Sequence, residues 1–214
     1  MENTLITNAL NFAKQIFEND FSGHDYFHTL RVYKMATKLA IEENTNLEIV
    51  QLVAILHDVD DIKLSPQTSE NKDNARRFLK ANNVDEPTIN HICEIIGEIS
   101  FAGKDSVVPE TIEGKCVQDA DRLDALGAIG IARAFAYGGN HNRCIYDPEI
   151  KPNLDMNREE YHKHVSTTVN HFYEKLFLLK DMMTTASGKM IAEKRELYMK
   201  AYIDEFMEEW EGIR

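Results

Sequence analysis

Apolar residues recur at spacings of three and four along almost the whole chain, and alternation with a period of two is nearly absent. This periodicity is typical of amphipathic helices that bury one face, whereas half-buried strands alternate inward and outward residues. The pattern therefore predicts an all-α fold. Helices are expected over about residues 5–19, 25–43, 47–58, 71–82, 87–100, 113–137, 166–183 and 187–211.

Two polar segments interrupt this helical pattern. Residues 102–114 and 138–155 both contain glycine, proline and several charges. Because glycine ends helices through its backbone freedom, the helix over 113–137 is expected to stop at Gly138. Loops of this length in a compact domain are often functional. No repeat or linker divides the chain, so one domain over residues 1–214 is expected.

The stretch LVAILHDVDDIK, residues 52–63, changes character within a few positions. Five apolar residues predict a buried helical stem, and His57, Asp58, Asp60 and Asp61 then follow. On a helix, His57 and Asp61 share one face, while Asp58 lies about 100° around the axis. Unpaired buried carboxylates are unfavourable, and a cation would remove that penalty. Asp60, at the end of the helix, is expected to be solvated.

One imidazole and one carboxylate cannot hold a metal ion alone, since such ions need four to six donors. The stretch GHDYFHTLRV offers two further histidines, His24 and His28, four apart at the start of a predicted helix. Arg31 follows on the face of His28. His24 is either a contributor to the site or a residue that caps and packs the helix entrance.

A third polar cluster lies in QDADRLDALGAIGIAR, where Asp119, Asp121 and Asp124 interrupt a segment of small and apolar residues. Burial alone does not explain three carboxylates here, and a cation would. Asp119 and Asp124 are candidates to bind substrate or a water, but a carboxylate near a helix start or an intrahelical pair with Arg122 or a neighbour explains them equally well.

Composition narrows the class of protein. The chain has 214 residues, of which 43% are hydrophobic and 28% charged, as expected of a globular protein with its own core. Its net charge of −12 disfavours extended nucleic acid as a partner. Three widely spaced cysteines without a C-x-x-C pair argue against disulfides and a thiolate zinc site. No apolar run reaches the ~20 residues that span a bilayer, so no membrane partner and a cytoplasmic location are expected.

The order and flanks of three motifs resemble the HD-domain metal-dependent phosphohydrolases. These motifs are HTLRV with His28, the pair His57-Asp58, and ADRLDA with Asp121, which together match an H…HD…D pattern. Further stretches look like one bacterial subgroup, the YpgQ/YedJ-like proteins. They include IIGEISFAGK, IYDP and HFYEKLFLLKDMMTTASGKMIAEKR, so the resemblance covers most of the chain.

This resemblance implies a nucleotide pyrophosphohydrolase, which converts a nucleoside triphosphate to the monophosphate and pyrophosphate through a metal-activated water. It implies four metal ligands, His28, His57, Asp58 and Asp121. Two imidazoles and two carboxylates suit one divalent ion, with Mn²⁺ expected and Mg²⁺, Ni²⁺, Co²⁺, Fe²⁺ or Zn²⁺ also compatible. The single HD-type domain would have its metal core at about 22–137 and additional C-terminal helices at about 166–211.

Four more residues are candidates for the chemistry. Asp61 is a candidate general base or water-orienting group, because it stands one turn beyond His57 and outside the ligand pattern. The related guanosine tetraphosphate hydrolases resemble this chain in carrying an acidic residue at that offset. Arg31 and Lys63 are candidates for catalysis and for holding the phosphate chain, and Arg122 is a further candidate for substrate binding.

Two further residues are candidates for substrate binding, and one histidine is not. His24 and Arg143 are expected to contact substrate, although the segment around Arg143 also fits an ordinary surface loop. His91 is expected to be a core or surface histidine, which leaves a one-metal site. A phosphomonoesterase or phosphodiesterase, or a nucleotide sensor without turnover, remains an alternative function. The apolar C-terminal helices could pair two subunits as a homodimer.

Overall fold

The structure is a computed structural model that describes residues 3–18, 25–62, 65–99, 107–155, 164 and 166–214. Every regular element in these ranges is a helix, which confirms the all-α prediction. The helices are α1 (Thr4–Ile16), α2 (Tyr26–Glu42), α3 (Leu47–Leu56), α4 (Asp73–Ala81), α5 (Glu86–Ile99), α6 (Ile112–Asp124), α7 (Gly127–Asn140), α8 (Thr168–Glu174), a 3₁₀ helix (Leu176–Met182) and α9 (Ala186–Trp210).

Several of these helices begin at a residue whose side chain caps them. The side chains of Asn3, Asp25 and Asn46 accept backbone N–H groups at the starts of α1, α2 and α3. Thr167 and Thr185 do the same for α8 and α9. Such caps satisfy N–H groups that have no partner inside the helix, so these local sequence choices define where the elements start.

The chain divides into two compact units, with the boundary inside α6 between Ala120 and Asp121. In unit 1, α3 packs against α1, α2 and α5, around a core that includes Leu39, Leu52 and Ile92. In unit 2, α9 packs against α7 and the 3₁₀ helix, and α8 packs against α7. The expected single domain over residues 1–214 stays a prediction.

The prediction of one helix over 113–137 is wrong. The chain leaves the helical path after α6 and starts α7 at Gly127, whose φ of +74° suits glycine and strains other residues. The expected stop at Gly138 is also wrong, because α7 continues to Asn140. Gly138 serves close packing instead, since a Cβ there would overlap with Thr168 Oγ1.

The predicted helix over 166–183 is also interrupted, at Lys175, whose ψ of −56° and φ of −140° separate α8 from the 3₁₀ helix. The other helix predictions agree with the structure to within a few residues at each end. Among the described residues, no helix is both long enough and apolar enough to cross a bilayer.

Candidate metal centre

His28 is held in the first turn of α2. Asp25 caps this helix, and its carboxylate accepts the backbone N–H of His28 at 2.7 Å. The His28 side chain is 1% exposed, and the buried face of α2 continues through Val32 and Ala36. Because the cap and the core both fix this turn, the imidazole is presented from a rigid element.

Helix α3 passes through the core of unit 1 and ends where the polar residues begin. Every side chain from Leu52 to Leu56 is buried, and a turn over residues 57–60 follows. Within this turn, His57 Nδ1 lies 2.9 Å from the carbonyl oxygen of Ala54. A ring nitrogen at that distance from a carbonyl carries the proton, so the neutral ring presents Nε2 as a lone pair.

The structure brings His28, His57 and Asp58 together. One ligand atom from each of the three side chains lies within 4.8 Å of the others. Asp58 Oδ2 is 3.5 Å from Nε2 of His28 and 3.2 Å from Nε2 of His57, and the two ring centroids are 5.5 Å apart. Both imidazoles are buried and Asp58 is partly exposed, so the cluster has a dry side and an accessible side.

This arrangement fits a divalent metal ion. Two ligand atoms that share an ion at ~2.1 Å lie roughly 3.0 to 3.5 Å from each other, depending on the bond angle. The two Nε2–Oδ2 distances fall in that range. A neutral Nε2 lone pair and a carboxylate oxygen repel each other at such a distance, and either a proton on Nε2 or a metal ion bound by both atoms removes that repulsion. Imidazole and carboxylate together suit Mn²⁺, Fe²⁺, Co²⁺, Ni²⁺ or Zn²⁺.

Asp121 lies in the last turn of α6 and is partly buried. Its role as the fourth ligand stays a prediction. His91 lies on α5, and the group of potential metal ligands in the described part of the chain does not include it.

The structure contradicts the prediction made for Asp60. The expectation that it is solvated is wrong, because its side chain is only 2% exposed. Its carboxylate oxygens accept the backbone N–H groups of Asn74 and Ala75, each at 3.0 Å, at the start of α4. The spacing of residues in the sequence contains no signal for this contact, which joins positions 14 and 15 residues apart.

The candidate catalytic residues of unit 1 are placed as follows. Asp61 comes directly after the turn and is partly exposed, and its backbone carbonyl accepts the N–H of Ser65 at 2.7 Å. Arg31 lies one turn after His28 on α2 and is also partly exposed. His24 and Lys63 lie outside the described residues. The roles of all four stay predictions.

Arg122 and Arg143, the two residues of unit 2 that are predicted to bind substrate, each contact another group of the protein. Arg122 is 5% exposed and donates from Nη1 to the carbonyl of Met182 at 2.5 Å. Arg143 follows α7, with its guanidinium carbon 5.4 Å from the ring centroid of Tyr137. Substrate contact by Arg122 and Arg143 stays a prediction.

Asp124, for which the sequence left open substrate or water binding, a helix-start carboxylate and an intrahelical pair, has an ion pair in unit 2. The buried Asp124 carboxylate accepts from Nη1 of Arg133 at 2.6 Å. Arg133 lies on α7, so this pair joins the end of α6 to the next helix. An intrahelical pair with Arg122 or a neighbour does not describe this contact, because Arg133 lies on a different helix from Asp124.

The buried thiols offer no nucleophile. Burial raises the pKa of Cys116 to about 12, and the nearby carboxylate of Glu43 adds to the rise. Burial likewise raises the pKa of Cys93. Since the thiolate is the reactive form, both cysteines are inert at neutral pH.

Two residues that hold the ligands were missed in the sequence. Asp25 stands three residues before His28, which is the spacing of a helix cap, so this signal was available. The carbonyl of Ala54, which orients His57, carries no residue-specific signal, because any residue provides a carbonyl at that position.

The comparisons with known proteins agree with this geometry. The HD domain family model matches residues 25–126. The protein YpgQ of Bacillus subtilis, itself uncharacterised, is 33% identical over 94% of this chain and 92% of its own length. The crystal structure of an HD-superfamily hydrolase from Bacillus thuringiensis is 43% identical, covers 96% of both chains and has a TM-score of 0.78.

A crystal structure of Bacillus subtilis YpgQ in complex with ADP is 32% identical and has a TM-score of 0.76, covering 96% of this chain and 100% of that one. The similarity extends well beyond the family model, into the C-terminal helices. From the matched motifs, the helical fold and relatives that share nearly its whole length, the chain belongs to the HD-domain family and is an HD-superfamily hydrolase similar to YpgQ.

Proposed function

We propose that this hydrolase cleaves a phosphoric anhydride of a nucleoside triphosphate and releases the monophosphate and pyrophosphate. The observation that carries the proposal is the convergence of two imidazole Nε2 atoms on one carboxylate oxygen, 3.5 and 3.2 Å away. The ADP complex of the relative YpgQ supports a nucleotide as the ligand. Pairing of two subunits through the C-terminal helices stays a prediction.

His28, His57 and Asp58 would hold one divalent ion, for which we propose Mn²⁺, with Asp121 as the fourth ligand. Such an ion, when bound, polarises a phosphoryl oxygen and lowers the pKa of a water toward neutrality. The proton that stays on His57 Nδ1, shared with the Ala54 carbonyl, keeps Nε2 available as a ligand. Burial of both imidazoles limits competition from water on that side of the site.

Asp61 is our proposed proton acceptor for the attacking water. It lies after the turn that contains Asp58, and its partial exposure lets water reach it. Arg31 and Lys63 would bind the phosphate chain, because a protein with a net charge of −12 needs local cations to attract a polyanion.

The test is an assay of the purified protein with Mn²⁺ and a panel of ribo- and deoxyribonucleoside triphosphates, with pyrophosphate and orthophosphate resolved by ³¹P NMR. We expect monophosphate and pyrophosphate in equal amounts. Asp58→Ala should lower kcat/KM by about 10³-fold or more, because it removes a ligand of the ion. His91→Ala is the matched control and should stay within about two-fold of wild type.

Orthophosphate released from nucleoside monophosphates would replace the proposal with a phosphomonoesterase on the same site. If no panel member turns over while the protein still binds nucleotide, the sensor alternative replaces it. For the role of Asp61, Asp61→Asn should lower kcat by about 10² to 10⁴-fold with little change in KM. A change in KM alone would contradict that role.

A further inference from the structure

The start of α4 is unusual within unit 1, because its own first residues do not cap it. The residue at the cap position is Lys72, whose side chain makes no capping hydrogen bond and whose φ is +56°. By contrast, α1, α2 and α3 each have a local side-chain cap. The cap of α4 is instead the carboxylate of Asp60, which binds the N–H groups of Asn74 and Ala75.

A second hydrogen bond joins residues 59–60 to the start of α4, and here the side chain belongs to α4 and the backbone group to the turn. Asn74 Nδ2 donates to the carbonyl of Val59 at 3.0 Å and to Thr68 Oγ1 at 3.1 Å. Asn74 Oδ1 in turn accepts from Nη2 of Arg77 at 2.8 Å, which orients the amide. Val59, Asp60 and Asn74 are all buried, so the hydrogen bonds of Asn74 to Val59 and Asp60 are shielded from water.

Val59 and Asp60, which are bonded to the start of α4, directly follow the proposed ligands His57 and Asp58 in the sequence. The turn over residues 57–60 is therefore fixed on one side by α3, through the bond from His57 to Ala54, and on the other by α4. Metal affinity depends on how well its ligands are oriented before the ion binds. A turn fixed at both ends meets that condition, whereas a free turn would have to be ordered on binding.

We infer that Asp60 and Asn74 are positioning residues for the metal site, through which the start of α4 sets the orientation of His57 and Asp58. This inference rests on the proposed function, because it requires that these side chains bind an ion. Neither residue is proposed to touch the metal or the substrate. Their role is to keep the turn in its binding conformation when no ion is present.

The test measures Mn²⁺ binding directly, by titration with the EPR signal of free Mn²⁺, without nucleotide and well below the melting temperature. Asp60→Asn replaces one acceptor oxygen with an amide that faces a backbone N–H, and Asn74→Ala removes the bond to Val59 without changing any charge. We expect both variants to bind Mn²⁺ about 10-fold more weakly than wild type. The Asn74→Ala variant keeps the Asp60 cap, so it should remain folded.

Asp85→Asn is the matched control. Asp85 caps α5 in the same unit, accepts the N–H of Thr88 at 3.1 Å, and is remote in sequence from the ligand turn. We expect its Mn²⁺ affinity to stay within about two-fold of wild type. Melting temperatures measured by circular dichroism should fall for all three variants, so lower stability alone would not explain a loss confined to Asp60 and Asn74.

His57→Ala separates the inference from the proposed function. If His57→Ala loses Mn²⁺ binding and both positioning variants bind like wild type, the positioning role is wrong and the metal site stands. If only Asp60→Asn weakens binding, its effect comes from charge and the positioning role is equally wrong. If the wild type and His57→Ala bind alike, the proposed metal site itself fails.

Discussion

Two regions of this protein are held by a charged side chain from a distant part of the sequence, and the two charges have opposite sign. In unit 1, the carboxylate of Asp60 binds N–H groups at the start of α4. In unit 2, the guanidinium of Arg195 on α9 donates to the carbonyl of Leu123 near the end of α6. The first region directly follows His57 and Asp58 in the sequence. The second contains Asp121, the proposed fourth ligand.

The difference follows from the polarity of helices. The first N–H groups of a helix and its last carbonyls have no partners inside it, and they carry partial positive and negative charge respectively. A carboxylate therefore suits the start of α4 and a guanidinium suits the end of α6. Burial lowers the pKa of Arg195, and the nearby Asp124 carboxylate opposes this fall and favours the charged guanidinium.

The largest loss of folding stability is expected for a substitution at the α6–α7 junction. Arg195→Met keeps much of the side-chain length against Gly127 but removes the hydrogen bond to Leu123. We expect the free energy of unfolding to fall by about 2–3 kcal/mol, because a charged donor to a half-buried carbonyl is lost. Urea denaturation measures this. The control Lys194→Met, at an exposed neighbouring position, should change the value by less than about 0.5 kcal/mol. Equal effects of the two substitutions would contradict the role of Arg195.

A pair of glycine substitutions tests whether the junction depends on its backbone as well. Gly127→Ala should destabilise by about 1–2 kcal/mol, since φ is +74° there and a Cβ would lie 3.1 Å from Arg195 Cγ. Gly97→Ala, inside α5, should stabilise by about 0.5–1 kcal/mol, because no described residue outside that helix has an atom within 4 Å of the new Cβ. Melting curves give both values. A change in stability of the same sign for both substitutions would contradict this account.

Two local helix caps can also be compared, one that holds a metal ligand and one that does not. Asp25→Ala and Asn46→Ala each remove the cap of one helix, and each should lower the free energy of unfolding by about 1 kcal/mol. Only Asp25→Ala should also weaken Mn²⁺ binding, because Asp25 holds the N–H of His28. Calorimetric Mn²⁺ titration of both variants measures this. Equal Mn²⁺ affinities for the two variants would show that the cap at His28 has no influence on the site.

The last prediction concerns the pH dependence of stability that arises from a histidine in unit 2. Burial lowers the pKa of His171 to about 3, with Lys175 and Arg143 adding to the fall. The unfolded chain therefore takes up a proton as the pH drops below ~6.5, whereas the folded protein does not until about pH 3. Stability is thus fully present above ~6.5 and declines below it. Because His171 keeps some exposure, we expect a loss of about 1 kcal/mol between pH 7 and 5.

The variant His171→Asn isolates this contribution, since asparagine does not titrate in this range. Urea denaturation at pH 7 and pH 5 should show a smaller decline for the variant than for wild type. A decline of the same size in both proteins would assign the pH dependence to other groups.

Local patterns predicted most of the helices correctly. Apolar spacing identified α1 to α5 and α9, and the capping residues Asp25 and Asn46 stand immediately before the helices that they start. These features depend on contacts between residues three or four apart, which the sequence displays directly. The break between α6 and α7 was missed because Gly127 and the residues around it also fit a continuous helix.

The sequence by itself determined the helical class and the motifs with His28, His57 and Asp58, which the structure brings within 4.8 Å. Only the tertiary structure showed which of the neighbouring aspartates is buried. Asp60 differs from Asp61 because α4 lies against it with free N–H groups, and those groups come from residues 14 and 15 positions later. A carboxylate is stable in a protein interior when such donors surround it, and the spacing of charges along the chain contains no information about donors that distant.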